Sequence, residues 1–177
     1  MFLVSLNRKL RQLNWFKKNN IKEPDLINYL DLVSLGTICD VVPLTGLNRA
    51  LVKQGLEVLK RKTNLGLKTL KNICGIESNI NTYHLGYVIG PRINAGGRVG
   101  RCSHGANLLL ETNASEIFKI ASELEQFNNE RKILEKELLN YALISAQDKV
   151  ADPVIIIDGS NWHEGVIGII ASRIKDK

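Results

Sequence analysis

Apolar residues recur at three- and four-residue spacing through most of this chain, the spacing that lines one face of an α-helix. Phe2, Leu3, Leu6, Leu10 and Leu13 form the first stripe, with basic residues opposite, and Lys17-Lys-Asn-Asn20 ends it. Pro24 then starts a second helix, its ring at the tolerated first position. Leu26, Tyr29, Leu30, Val33 and Leu35 give that helix a core face. A third amphipathic helix spans residues 47–59, with Leu47, Leu51, Leu56 and Leu59 on one side. Thr63-Asn-Leu-Gly66 reads as a loop, residues 68–73 as a short helix ending near Gly75, and residues 105–110 as another helix. The apolar run 83–89 leads into a glycine-rich turn over residues 90–98.

The longest predicted element covers residues 114–148. Asn113 and Glu116 fit a capping box at its start, each side chain satisfying the other's backbone donor. Ile117, Ile120, Leu124, Phe127, Leu134, Leu138 and Ala142 mark its apolar face. At 1.5 Å per residue it is roughly 50 Å long, too long for one small core, which suggests a connector between two lobes. Asp152-Pro153 breaks it. The β-branched run 154–157 then reads as a buried strand, residues 158–161 as a turn, and residues 166–177 as a helix. The fold class expected is α/β. One strand makes no sheet, so the second lobe is either cut short or completed by another polypeptide.

Composition narrows the class without naming it. The 177 residues are 44% hydrophobic, with no apolar run long enough to span a bilayer, so no membrane role is expected. The first residues lack the charged, apolar, small-residue order of a signal peptide. Cys39, Cys74 and Cys102 are odd in number and form no C-x-x-C pair, which fits a reducing, cytoplasmic setting without zinc. The net charge of +6 is compatible with a polyanionic partner.

Three segments carry candidate chemistry. Asp40 stands in Ser34-Leu-Gly-Thr-Ile-Cys-Asp-Val-Val-Pro-Leu44, a lone carboxylate in an apolar frame. It is either a ligand for a hard divalent ion or a helix-capping or ion-paired aspartate. Gly90-Pro-Arg-Ile-Asn-Ala-Gly-Gly-Arg98 sets Arg92, Asn94 and Arg98 on a glycine-rich backbone. Arginines there fork onto phosphate, or stand solvated on a structural turn. It is no Walker loop. Asn161-Trp-His-Glu-Gly165 opens the last helix, where free backbone donors attract anions. Trp162 stacks on a base or packs, with packing the better reading, and His163 touches phosphate or sugar or holds the loop by hydrogen bonds. His84 and His104 read as structural or surface residues.

These residues resemble the RecJ exonucleases of the DHH phosphoesterase superfamily. The matching runs, in the family's order, are Asp31 through Leu44, Asn48-Arg49 with Gly55-Leu56, Gly90 through Gly100, Phe127-Asn-Asn-Glu-Arg-Lys132 and Trp162 through Arg173. The resemblance implies a metal-dependent 5′-to-3′ exonuclease of DNA repair acting on single-stranded DNA. It also implies a DHH catalytic lobe and a DHHA1 lobe joined by a long helix. On that plan residues 1–112 are the C-terminal part of the DHH lobe, 113–149 the connector, and 150–177 the truncated start of the DHHA1 lobe. Asp40 matches a motif whose aspartate coordinates Mn2+ or Mg2+. Arg92, Asn94 and Arg98 match the loop lining the cleft, and Trp162, His163 and Gly165 match a DHHA1 motif facing it.

The Asp-His-His and Gly-Gly-His motifs of the family are absent from the sequence. The chain is therefore expected to be a central fragment that binds no metal productively and is inactive alone. A second chain supplying the missing motifs is one way of completing it, and a split or decaying gene or a truncated gene model are others. Two further readings stand beside this one. One is a non-catalytic remnant that binds single strands or protein. The other is a DHH phosphodiesterase acting on small nucleotides.

Overall fold

The computed structural model describes residues 1–61, 64–160 and 162–176. Two compact units, Met1–Thr63 and Asn64–Lys177, partition the chain.

The first unit begins with α1 (Phe2–Gln12) and the single turn α2 (Trp15–Lys18), which pack together. The apolar stripe of α1 is not a core face. Phe2, Leu3, Leu6 and Leu13 are exposed, and the helix buries Asn7, whose amide donates to Glu23 at 2.8 Å. Glu23 is also ion-paired with Arg11, which holds its carboxyl below the usual range. The second helix starts later than Pro24 suggested. Asp25 caps it, accepting from Ile27 N at 3.1 Å, and a 3-10 turn Leu26–Tyr29 feeds α3 (Leu30–Cys39). A side-chain cap satisfies a free backbone donor that proline cannot, and it sets the boundary here.

Helix α4 (Gly46–Arg61) packs on α3 and buries Val52, Gly55 and Leu59; of the expected face Leu47, Leu51, Leu56 and Leu59, only Leu59 is buried. A Cβ on Gly55 would overlap the Ser34 hydroxyl and the Leu30 carbonyl. Ser34 Oγ donates to Leu30 O at 2.9 Å and lies 3.2 Å from Val52 O, so the hydroxyl seals the crossing. Small residues set this interface because the backbones are nearly in contact.

The second unit is built around α8 (Ala114–Ala146), which packs against α5 (Leu65–Ile73), α6 (Gly90–Val99), α7 (His104–Leu110) and α9 (Glu164–Lys175). Thr63, the first residue of the expected loop, lies outside the described residues, as do Asn161 and Lys177. Asn64 caps α5 through Leu67 N and donates to Leu109 O at 2.8 Å. Leu67, Leu70, Leu85, Ile89, Leu108, Ile117 and Leu124 form the buried core. Asn113 caps α8, accepting from Ser115 N and Glu116 N. The backbone donor of Asn113 goes to Glu111 at 2.8 Å, the position a capping box gives to the third helical residue. At 33 residues α8 is about 50 Å long, as its periodicity implied.

Two expectations are corrected here. The glycine-rich segment 90–98 is not a turn but helix α6, entered through a π-helical segment His84–Ile89. Asn81 and His84 cap that helix reciprocally, His84 N to Asn81 Oδ1 at 3.0 Å and Asn81 N to His84 Nδ1 at 3.3 Å. Gly96 is required by packing: a Cβ there would come within 2.9 Å of Arg101 O and 3.2 Å of Leu124. Residues 154–157 form no strand, and there is no β-ladder among the described residues. A strand exists only beside another strand, and among the described residues this run has no such neighbour; the Ile156 carbonyl accepts from Lys149 Nζ at 2.7 Å instead. Val154 and Ile156 stand exposed.

Candidate nucleic-acid interface and candidate metal residue

In the first unit Asp40 is the residue that ends α3, its N–H donating to Gly36 O at 3.0 Å. Val41 follows with φ 54°, and the bonds Val41 N to Ile38 O and Val42 N to Thr37 O, both 3.1 Å, complete a Schellman end. The Asp40 carboxylate is exposed at the negative end of the helix dipole, where a cation is favoured. Burial first, and the Asp40 charge second, push the Cys39 thiol up. Asp31 of the same helix is buried, its Oδ1 accepting from Leu32 N at 2.8 Å. Among the described residues no group of three or more His, Cys, Asp or Glu could hold a metal ion. Hard divalent cations take about six or more oxygen ligands, and one exposed carboxylate does not fit that demand.

In the second unit the three predicted residues of α6 face different ways. Arg92 turns inward, its side chain 13% exposed and ion-paired with Glu125 of α8. Its Nη2 lies 3.2 Å from Glu125 Oε1, and Nη1 donates to Val88 O at 2.7 Å. Arg98 is exposed, with Nη1 donating to Gly165 O at 2.9 Å. Asn94, one turn earlier on the helix, is exposed.

The start of α9 meets the end of α6. A Cβ on Gly165 would overlap the Arg98 backbone carbonyl, so only glycine permits this approach. His163 is the N-cap of α9, and its Nδ1 accepts from Gly165 N at 3.1 Å. Arg98, His163 and Gly165 are thus one cluster, with a guanidinium and a helix N-terminus side by side. Trp162 packs: it is half-buried, edge-on to Tyr141 at 5.9 Å, with its indole against Gly159. Of the isolated histidines, His104 Nε2 pairs with Glu123 at 2.7 Å and its ring lies edge-on to Phe127.

Two features escaped the sequence reading. Glu135, buried on α8, is ion-paired with both Arg131 and Arg173, and Arg131 Nη2 donates to Asn128 Oδ1 at 3.2 Å. This polar chain ties α9 to α8. Its signal was present as 128, 131 and 135 at helical spacing between Leu124 and Ala142. The second is charge. Residues 78–110 contain no Asp or Glu and three arginines, Arg92, Arg98 and Arg101. Of these, Arg98 and Arg101 are exposed, and Arg98 stands beside the N-terminus of α9.

Comparison with known proteins specifies the class further. No family model matches the chain. It is 39% identical to the single-stranded-DNA-specific exonuclease RecJ of Salmonella typhimurium over 99% of its length and 32% of the relative. It is 37% identical to RecJ of Thermus thermophilus over 92% of its length and 24% of the relative. The Mg2+ complex of Thermus thermophilus RecJ superposes with a TM-score of 0.75 at 35% identity, over 91% of this chain and 25% of that one. A manganese-bound exonuclease RecJ gives 0.76 at 36% identity, over 90% of this chain and 40% of that one. In sequence and in fold the chain is RecJ-like. It spans about a third of the length of the first curated relatives it matches.

Proposed function

We propose that this chain is a portion of a RecJ-type exonuclease and contributes a surface that holds the phosphates of single-stranded DNA. The observation that carries the reading is the junction of Arg98 with Gly165 and His163, which presents a guanidinium beside the start of α9. The RecJ relatives, named as single-stranded-DNA-specific exonucleases, supply the substrate class. Arg98 meets phosphate directly, with Asn94 beside it. Arg92 acts from within by keeping α6 on α8. Trp162 braces the turn that delivers His163.

The catalytic part is shared out differently. Residues 1–112 correspond to the C-terminal part of a DHH lobe, 113–149 to an interdomain helix and 150–177 to the start of a DHHA1 α/β lobe. Asp40 would supply at most one oxygen ligand toward Mn2+ or Mg2+, the ions named for the solved relatives. Productive metal binding needs further donors of the Asp-His-His kind, from the same polypeptide or from a partner chain. The odd number and wide spacing of the cysteines favour a reducing, cytoplasmic setting. No described helix is long and apolar enough to cross a membrane.

The test is the affinity of a fluorescent single strand measured against salt. Wild type is expected to bind at low salt. Arg98→Ala should lower the slope of log K against log salt by about 0.7, because the variant neutralises one phosphate fewer. No binding at low salt, or an unchanged slope, would refute the reading.

A further inference from the structure

Tyr83 and Tyr87 are stacked on each other, ring centroids 5.4 Å apart and planes 28° from parallel. Both are exposed, at 61% and 76%. Tyrosines so exposed cost solvation of their ring faces and bury little in return. The π-helical segment that holds Tyr87 is the second unusual feature, since such wide turns recur at functional sites. Bonded i→i+5, it brings residues four apart nearly over one another. Down the same continuous helix, Leu85, Ile89, Ala95 and Gly96 are buried, whereas Tyr83, Tyr87, Asn94, Gly97 and Arg98 are exposed. The tyrosine pair and Arg98 therefore lie on one solvent-facing stripe.

From Tyr87 to Arg98 the stripe runs about 16 Å at 1.5 Å per residue, the span of roughly four or five nucleotides at the 3.4 Å rise of a stacked strand. Residues 78–110 contain no Asp or Glu, so the stripe carries no carboxylate of its own. We infer that the Tyr83–Tyr87 pair is a base-stacking platform that continues the single-strand path from Arg98. The inference rests on the single-strand reading above and names what that reading lacks, a grip on the bases. Every base has a π-face, so such a platform holds a strand without selecting sequence.

The experiment measures binding of the full chain to a fluorescein-labelled oligothymidine and to the same backbone made of abasic sites. Wild type should prefer the base-bearing strand. Tyr83→Ala/Tyr87→Ala should weaken oligothymidine binding about 5- to 150-fold for each base that no longer stacks. The salt slope should not change, because the same phosphates remain neutralised. The abasic strand should bind the two proteins alike, and Tyr83→Phe/Tyr87→Phe should restore affinity to within about twofold. If wild type binds with a normal salt slope and the alanine variant binds as well, the platform is wrong and the phosphate surface survives. If the alanine variant instead changes only the sedimenting mass, the stripe is a protein contact and the inference falls. If wild type binds neither strand, both readings fall together.

Discussion

Helices α3 and α5 end by the same hydrogen-bond pattern with different residues in the decisive position. At the end of α5, Gly75 takes φ 65°, with Gly75 N to Asn72 O at 3.0 Å and Ile76 N to Lys71 O at 3.1 Å. At the end of α3, Val41 takes φ 54° with the matching pair of bonds. Glycine adopts this left-handed conformation without steric cost, whereas a β-branched residue is an outlier there. The other positive-φ residues among the described ones that are not glycine are Asn14 and Asn20, a type that tolerates it. Val41 is 86% exposed, so no burial offsets the strain. The two ends show that hydrogen bonding alone sets the motif, and that α3 carries an uncompensated strain next to Asp40. Strain of that kind clusters at functional positions.

Exchanging the two residue types probes each helix end in turn. Gly75→Val should carry the larger effect, destabilising the second unit by about 1–2 kcal/mol, the cost of a left-handed side chain. Nothing lies within 4 Å of a Cβ at Gly75, so the cost is conformational and not a clash. Urea denaturation should register it, and an unchanged midpoint would mean that the helix end refolds into another cap. Val41→Gly should act in the opposite direction and less strongly, stabilising α3 by about 0.5–1 kcal/mol. The relief of strain is partly offset by the greater freedom of glycine in the unfolded chain. Hydrogen exchange of the α3 amides would report it locally. Slower exchange in α3 is expected, and faster exchange would show that Val41 is held by its neighbours rather than strained.

The same contrast explains which features could be read from sequence. The Asn113 cap and the extent of α8 were legible because both depend on neighbours within a turn. The end of α5 at Gly75 was legible for the same reason. Helix α6 was not: its glycines look like a turn, but Gly96 is there for Leu124 and Arg101, just as Gly165 of α9 is there for Arg98. Arg92 looked like a phosphate ligand because its partner, Glu125, is 33 residues away. The run 154–157 has a strand's composition, yet strand formation is decided by a partner backbone. At the candidate site, the junction of His163 and Gly165 with Arg98 required the fold. The resemblance to RecJ was legible from motif order, which survives without any knowledge of contacts.

The smallest expected effect concerns Asp40. A carboxylate at a helix C-terminus faces the negative end of the dipole, which costs about 0.3–1 kcal/mol at an exposed site. α5 ends on Cys74 at the equivalent position and carries no such charge. Asp40→Asn should therefore stabilise α3 by a few tenths of a kcal/mol, bringing its end closer to that of α5. It should also let the Cys39 thiol fall part of the way back, because the Asp40 charge is the second cause of its rise and burial the first. At a fixed mildly alkaline pH the thiolate fraction then grows, and alkylation of the Cys39 peptide, followed by mass spectrometry, should speed up. Equal rates in the two proteins would mean that the Asp40 carboxylate is turned away from the helix end. In that case neither the dipole nor the thiol feels it, and the electrostatic argument for a cation at this position loses its basis.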